Sequence, residues 1–119
     1  MILAYGLEQK DLEVLKMSNI EYKVITTKIF HEKIEDIIER AVQEERDEFL
    51  SKEKIILFNG FSDDELDKII KLIRATIGRE PILAVVTDTS KKWTFEYLLE
   101  HLIEEREWYK KMQKEKGNN

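Results

Sequence analysis

The chain contains no cysteine, one proline, four glycines and two histidines among its 119 residues. Without cysteine there are no disulfides, no thiolate metal sites and no thiol nucleophile. With so little proline and glycine there is no Pro/Gly/Ser-rich linker, and the length suits one domain. Long apolar runs are also missing. The longest, Ile82–Val86, falls far short of the roughly 20 residues that span a bilayer. Positive charge is in deficit, with 20 Lys+Arg against 25 Asp+Glu and a net of -5. That balance excludes a general nucleic-acid binder, which needs a dominant positive field. No basic, apolar, small-residue leader opens the chain, so the expected location is cytoplasmic.

What is present is an alternating pattern. Hydrophobic residues make up 42% and charged residues 38% of the chain, enough for a core under a heavily charged surface. Four short apolar segments stand out: Ile2–Tyr5, Tyr22–Thr26, Ile55–Phe58 and Ile82–Thr87. Three are nearly continuous apolar, as in strands covered on both faces. Between them the apolar residues recur at helical spacing. Leu7, Leu12 and Leu15 mark the first such segment. Ile34, Ile37, Ile38, Ala41, Val42, Phe49 and Leu50 mark the second. Leu66, Ile69, Ile70, Ile73 and Ile77 mark the third, and Phe95, Leu98, Leu99, Leu102, Tyr109 and Met112 the fourth. The order β-α-β-α-β-α-β-α predicts an α/β fold with a parallel sheet.

The chain also repeats itself. Ile2-Leu3-Ala4-Tyr5-Gly6-Leu7 aligns with Ile56-Leu57-Phe58-Asn59-Gly60-Phe61, and in the same register Leu12 falls on Leu66 and Leu15 on Ile69. Each half continues with a strand ending in threonine, Thr26 or Thr87, and a second helix. The expected fold is a single-domain three-layer α/β/α arrangement of two βαβα half-repeats, about 1–52 and 53–113. Its four-stranded parallel sheet would have the order 2-1-3-4. Residues 114–119 read as a frayed polar tail.

The helix boundaries are marked. Ser62 and Glu65 have capping-box spacing, with Phe61 and Leu66 placed as a hydrophobic staple. Thr94 caps the last helix, with Trp93 and Leu98 as its staple. Asn19 and Gly78 sit at C-cap positions, and Pro81 follows before the fourth strand.

In an open parallel sheet, ligands bind beyond the carboxyl ends of the strands where strand order reverses. Here that point lies between the first and third strands, at Gly6 and at Asn59-Gly60. Thr87, Asp88, Thr89 and Lys91 from the fourth strand would complete a rim suited to a small anion or a nucleotide. Glycines at strand ends also serve as turns, and Thr/Ser/Asp clusters also cap helices. Neither a Walker A loop nor a G-x-G-x-x-G is present.

Catalytic constellations are scarce. His31-Glu32-Lys33-Ile34-Glu35 opens like a zincin helix but has Glu35 where the second histidine belongs. His101 lies within a turn of Glu104 and Glu105. Neither forms a closed ligand set, so no metal or cofactor is assigned. Asp88 is the best acid/base candidate, and no catalytic residue is named.

The last helix, from Thr94 to about Lys114, would run roughly 30 Å, which carries Trp108, Tyr109 and Met112 to or past the edge of a domain this small. Exposed aromatics on a protruding helix mark a homodimer or partner surface; folded back on the first helix, they would instead close the open face. Lys110, Lys111, Lys114 and Lys116 make this end locally basic.

The second half resembles a known family. Ile56-Leu57-Phe58-Asn59-Gly60-Phe61-Ser62 with Glu65-Leu66, then Ala84–Thr94 with its Thr-x-Thr and Trp-Thr, then Leu98-Leu99 and Glu104-Glu105-Arg106 carry the likeness. They are similar to the small bacterial proteins grouped as domain of unknown function 3783. That family often has proline at the position of Asp88 and asparagine at that of Ser90. It has no assigned activity, so the resemblance implies no catalytic residue and singles out only the Thr87–Thr94 loop. The functional expectation is therefore a non-catalytic association module. The alternative is a small-ligand, nucleotide or anion binder at the strand ends, and an enzyme has the least support.

Overall fold

A computed structural model describes residues 1–40 and 53–117 of the chain. Four strands and four helices alternate: β1 (Ile2–Tyr5), α1 (Gln9–Met17), β2 (Tyr22–Val24), α2 (Ile34–Glu39), β3 (Ile55–Phe58), α3 (Asp63–Thr76), β4 (Ile82–Val85) and α4 (Phe95–Gly117). A single 3₁₀ turn, Ser90–Lys92, precedes α4. The sheet order is β2-β1-β3-β4.

The sheet is mixed, which corrects the expectation of an all-parallel one. β1 pairs parallel with β2 and β3 parallel with β4, but the central pair β1–β3 is antiparallel. Its register sets Ile2 opposite Phe58, Leu3 opposite Leu57 and Tyr5 opposite Ile55. The reason lies in the crossovers. In an all-parallel 2-1-3-4 sheet, one connection steps left and the other right, so a common right hand puts α1 and α3 on opposite faces. Here they share a face. Leu12 and Leu15 of α1 and Ile73 of α3 pack with Ile2, Ala4, Ile56 and Phe58. Two like-handed halves joined first strand to first strand, with their first helices on one face, are related by a two-fold axis normal to the sheet, and that axis reverses one of them.

The backbone obeys this pseudo-symmetry beyond the strands. Ile25 N–H donates to Ala4 O at 2.8 Å, and its equivalent Val86 N–H donates to Phe58 O at 2.9 Å. The loops after β2 and β4 run back across the second face and meet on the axis, where Lys33 and Thr94 form an antiparallel bridge. There Ile34 N–H donates to Trp93 O at 2.9 Å, while Phe95 N–H donates to Glu32 O at 3.0 Å. Beneath them lies the second core layer: Leu3, Tyr5, Ile55 and Leu57 from the sheet against Ile34, Ile37, Phe95, Leu98 and Leu99. Phe95 sits at its centre, with ring centroids 5.0 Å from Tyr5 and 5.5 Å from Phe30. The layers are thus α1/α3, sheet, and α2/α4.

The marked helix ends form as the side-chain chemistry requires. Glu65 N–H donates to Ser62 Oγ at 3.2 Å and Ser62 N–H to Glu65 Oε1 at 3.1 Å, closing the capping box. Tyr97 N–H donates to Thr94 Oγ1 at 3.2 Å. Asn19 and Gly78 take positive φ, 57° and 108°, and end their helices in the left-handed conformation. α2 is described over Ile34–Glu39; the expected continuation through Ala41, Val42, Phe49 and Leu50 lies outside the described residues. Lys23, on edge strand β2, donates to the carbonyls of Ile38 and Arg40 at the end of α2. α4 continues to Gly117, so residues 114–117 are helical.

Candidate functional site

Antiparallel pairing at the centre decides the fate of the expected strand-end cleft. Gly6 follows β1 at the sheet end that holds Ile55, whereas Asn59 and Gly60 follow β3 at the end that holds Met1. Asn59 exchanges backbone hydrogen bonds with Met1, at 2.8 and 2.9 Å. No single cleft joins Gly6 to Gly60. Both glycines have positive φ, 73° and 79°, and no atom lies within 4 Å of where a Cβ of Gly60 would stand. At Gly60 the requirement is therefore the turn itself, with no close approach.

The Thr87–Thr94 loop forms a closed knot of hydroxyls. Thr87 N–H donates to Ser90 Oγ at 2.9 Å, Thr87 Oγ1 lies 3.1 Å from that oxygen, and Ser90 N–H donates back to Thr87 Oγ1 at 3.0 Å. Ser90 is buried, so this pair spends its hydrogen bonds on the turn. Asp88 points fully into solvent with Lys91 3.5 Å away, and Thr89 lies at the exposed start of the 3₁₀ turn. The turn follows β4, which runs parallel to β3, so it lies at the Asn59-Gly60 end of the sheet and away from Gly6.

The histidines are paired singly. His31 Nδ1 lies 2.6 Å from Glu96 Oε2 across the two-fold contact, while Glu32 is taken by Arg40. His101 Nε2 lies 3.4 Å from Glu105 and its ring packs edge-on against Trp93. Among the described residues no three His, Asp or Glu side chains gather where a metal ion would need them. No helix among them is long and apolar enough to cross a membrane.

Two ionic clusters lie at the Gly6 end of the sheet, and sequence reading missed both. The Lys54 ammonium, just ahead of β3, faces Asp11 at 3.5 Å, Glu80 at 3.4 Å and Glu8 at 3.9 Å. Burial by itself would lower its pKa; Asp11, Glu80 and Glu8 together outweigh that and hold it above the usual lysine value. Glu8 and Asp11 also form a capping box at the start of α1, which no Ser/Thr signature announces. Beside them, Arg106 of α4 clasps Glu53 through two bonds of 2.5 and 2.9 Å. That clasp holds the Glu53 carboxyl below its ordinary pKa. Lys54, Arg79, Glu80, Lys110 and the Arg106–Glu53 pair line an open pocket of about 460 Å³.

Past this pocket α4 is bare. The 23-residue helix is about 34 Å long, more than the 30 Å breadth of the molecule. Trp108 is 56% exposed, Tyr109 60% and Met112 37%. The two rings contact each other at 5.1 Å. Earlier on the helix, Tyr97 is also half exposed and packs edge-on against Trp93. At helical spacing Tyr97, His101, Trp108 and Met112 share one stripe, about a third of a turn round from the buried Phe95, Leu98 and Leu99.

The matched region reaches Trp108 and Tyr109 of this surface and covers the half-repeat beneath them as far as that point. Residues 54–109 match the family described as Domain of unknown function (DUF3783). No curated protein and no solved structure gives a match to the chain. The DUF3783 segment is thus β3, α3, β4 and α4 as far as Tyr109. In this chain β3 of the segment does not form a sheet edge, because β1 of the first half pairs with it.

Proposed function

We propose that this protein is an association module whose docking surface is the outward face of α4. One observation carries the reading: Trp108, Tyr109 and Met112 lie exposed together on the α4 turns that follow the Arg106–Glu53 clasp. Large aromatics cost free energy in water in proportion to their bare apolar area. A partner that covers them recovers it, and such residues dominate the fully desolvated centres of interfaces. Basic side chains around them, Lys110, Lys111 and Lys114, favour acidic groups on the partner.

A photo-crosslinking amino acid in place of Met112, installed in cells producing the protein, tests this. Any defined covalent adduct, with a second copy or with another protein, is the expected result. Illumination that yields only the uncrosslinked chain overturns the reading.

The second reading, a small anionic ligand, draws support from the pocket beside Lys54, Arg79, Arg106 and Lys110 rather than from the separated strand ends. It is the weaker of the two, because Lys54 and Arg106 already face carboxylates. Phosphate and a nucleotide panel should raise the melting temperature if it holds.

A further inference from the structure

We infer that α4 docks against a second copy of itself, the two helices antiparallel and crossing near Trp108. This rests on the association reading above and names its partner. The argument comes from charges that have nothing to do inside the monomer. Glu105 pairs with His101, and Glu107 with Arg106 and Lys110. Glu100, Glu104, Lys111 and Lys114 are exposed and make no ion pair among the described residues. At helical spacing these four lie in one file along the flank of the Tyr97–Met112 stripe. They read acid, acid, base, base, with the change of sign at Glu107-Trp108.

Such a file is complementary to itself only when reversed. In a parallel pair the two-fold axis runs along the helices and carries the second copy's file to the opposite flank, so the four charges find no partners in each other. An antiparallel pair about a two-fold axis near Trp108 sets Glu104 opposite the second copy's Lys111, and Glu100 opposite its Lys114. Each contact then occurs twice, as an isologous interface requires. The same superposition buries Trp108 against its own equivalent and lays Met112 over the turn that holds Glu104 and Glu105. The buried Phe95, Leu98 and Leu99 lie about a third of a turn round from the stripe, on the side away from the charge file, so the file stays clear of its own domain. Apolar contact supplies the attraction, and the charge file selects the direction.

Sedimentation equilibrium on the full chain gives the test. The wild type should be a dimer that weakens with salt, as exposed pairs are screened. Glu100→Lys/Glu104→Lys should raise the dimer dissociation constant about tenfold or more, and Lys111→Glu/Lys114→Glu likewise. An equimolar mixture of the two variants should recover the wild-type constant as a heterodimer, because each copy then carries one sign throughout. These substitutions are on exposed positions, and unchanged circular dichroism and melting temperature confirm folded variants. Because the chain has no cysteine, Glu104→Cys and Lys111→Cys copies add a check: they should cross-link to each other faster than either does to itself. A wild type that stays monomeric, variants that bind as well as the wild type, or faster self-cross-linking overturns the antiparallel pair. If Met112 still cross-links to another protein, the α4 surface survives and only its occupant changes. With no adduct at all, both readings fall.

Discussion

Breaking the Arg106–Glu53 clasp should unhook the start of β3 from the middle of α4. The two bonds are bidentate, and the side chains are only 28% and 27% exposed. A fully exposed pair is worth about 0–1 kcal/mol, and a well-made hydrogen bond to a charged group about 1.5–3. Intermediate burial places the coupling at about 1–1.5 kcal/mol, after allowing for solvent screening. Arg106→Ala should cost somewhat more, about 2 kcal/mol, because its aliphatic stem also packs. For a chain of this length that lowers the melting temperature by about 8 °C. Arg106→Lys should rescue little, since an ammonium cannot reproduce the fork. The pH dependence carries the sharper signature. The Glu53 carboxyl is held below its ordinary 4.5 in the folded state, first by the Arg106 hydrogen bonds and then by the Arg106 and Lys110 charges. Its contribution is therefore complete above about pH 4.5 and disappears as pH falls through the lowered folded-state value. Urea titrations of wild type, Arg106→Gln, Glu53→Gln and the double variant, repeated from about pH 7 to 3, give both numbers. A coupling below about 0.3 kcal/mol, or variants that lose stability with acid as steeply as the wild type, would refute the reasoning.

The central antiparallel pairing can be read by NMR. Leu3–Leu57 and Met1–Asn59 are the hydrogen-bonded pairs, so Ile2–Phe58 and Ala4–Ile56 are the close pairs whose Hα atoms should show mutual NOEs; their absence would restore a parallel sheet. Phe95→Ala, emptying the fully buried site between Tyr5 and Phe30, should cost about 3–5 kcal/mol by chemical denaturation. Ser90→Ala strands the Thr87 amide and should cost about 1–3 kcal/mol. By contrast Asp88→Asn, fully in solvent, should stay within about 0.5; equal effects would mean that the loop does not hold itself together through Ser90.

The sequence reached the repeat, the strand order and the helix caps because these are local or periodic. Gly6 and Gly60 mark equivalent turns, and Ser62 with Glu65 forms its box from residues three apart. Trp108, Tyr109 and Met112 were legible as a surface because helix length and rise are arithmetic. The strand-end rim was not. It assumed that Gly6, Gly60 and the Thr87 loop share one end of the sheet, and strand direction is not written in the apolar content of Ile2–Tyr5 or Ile55–Phe58. Like-handed halves in the order 2-1-3-4 fit a parallel sheet with α1 and α3 on opposite faces as well as a mixed one with both on the same face. The clusters around Lys54 and Arg106 were not legible either, since their partners are separated by up to 53 positions.

By itself, then, the sequence determined what short-range physics determines: which segments are strands and helices, how each helix begins and ends, that two halves are alike, and that the last helix outruns its support. Only the tertiary structure decided how the halves face each other. The antiparallel β1–β3 pairing sets the two-fold arrangement, and that arrangement sends Gly6 and Gly60 to opposite ends, brings Glu53 to Arg106, and leaves the flank of α4 as a file of charge, unpaired among the described residues, beside bare aromatic rings.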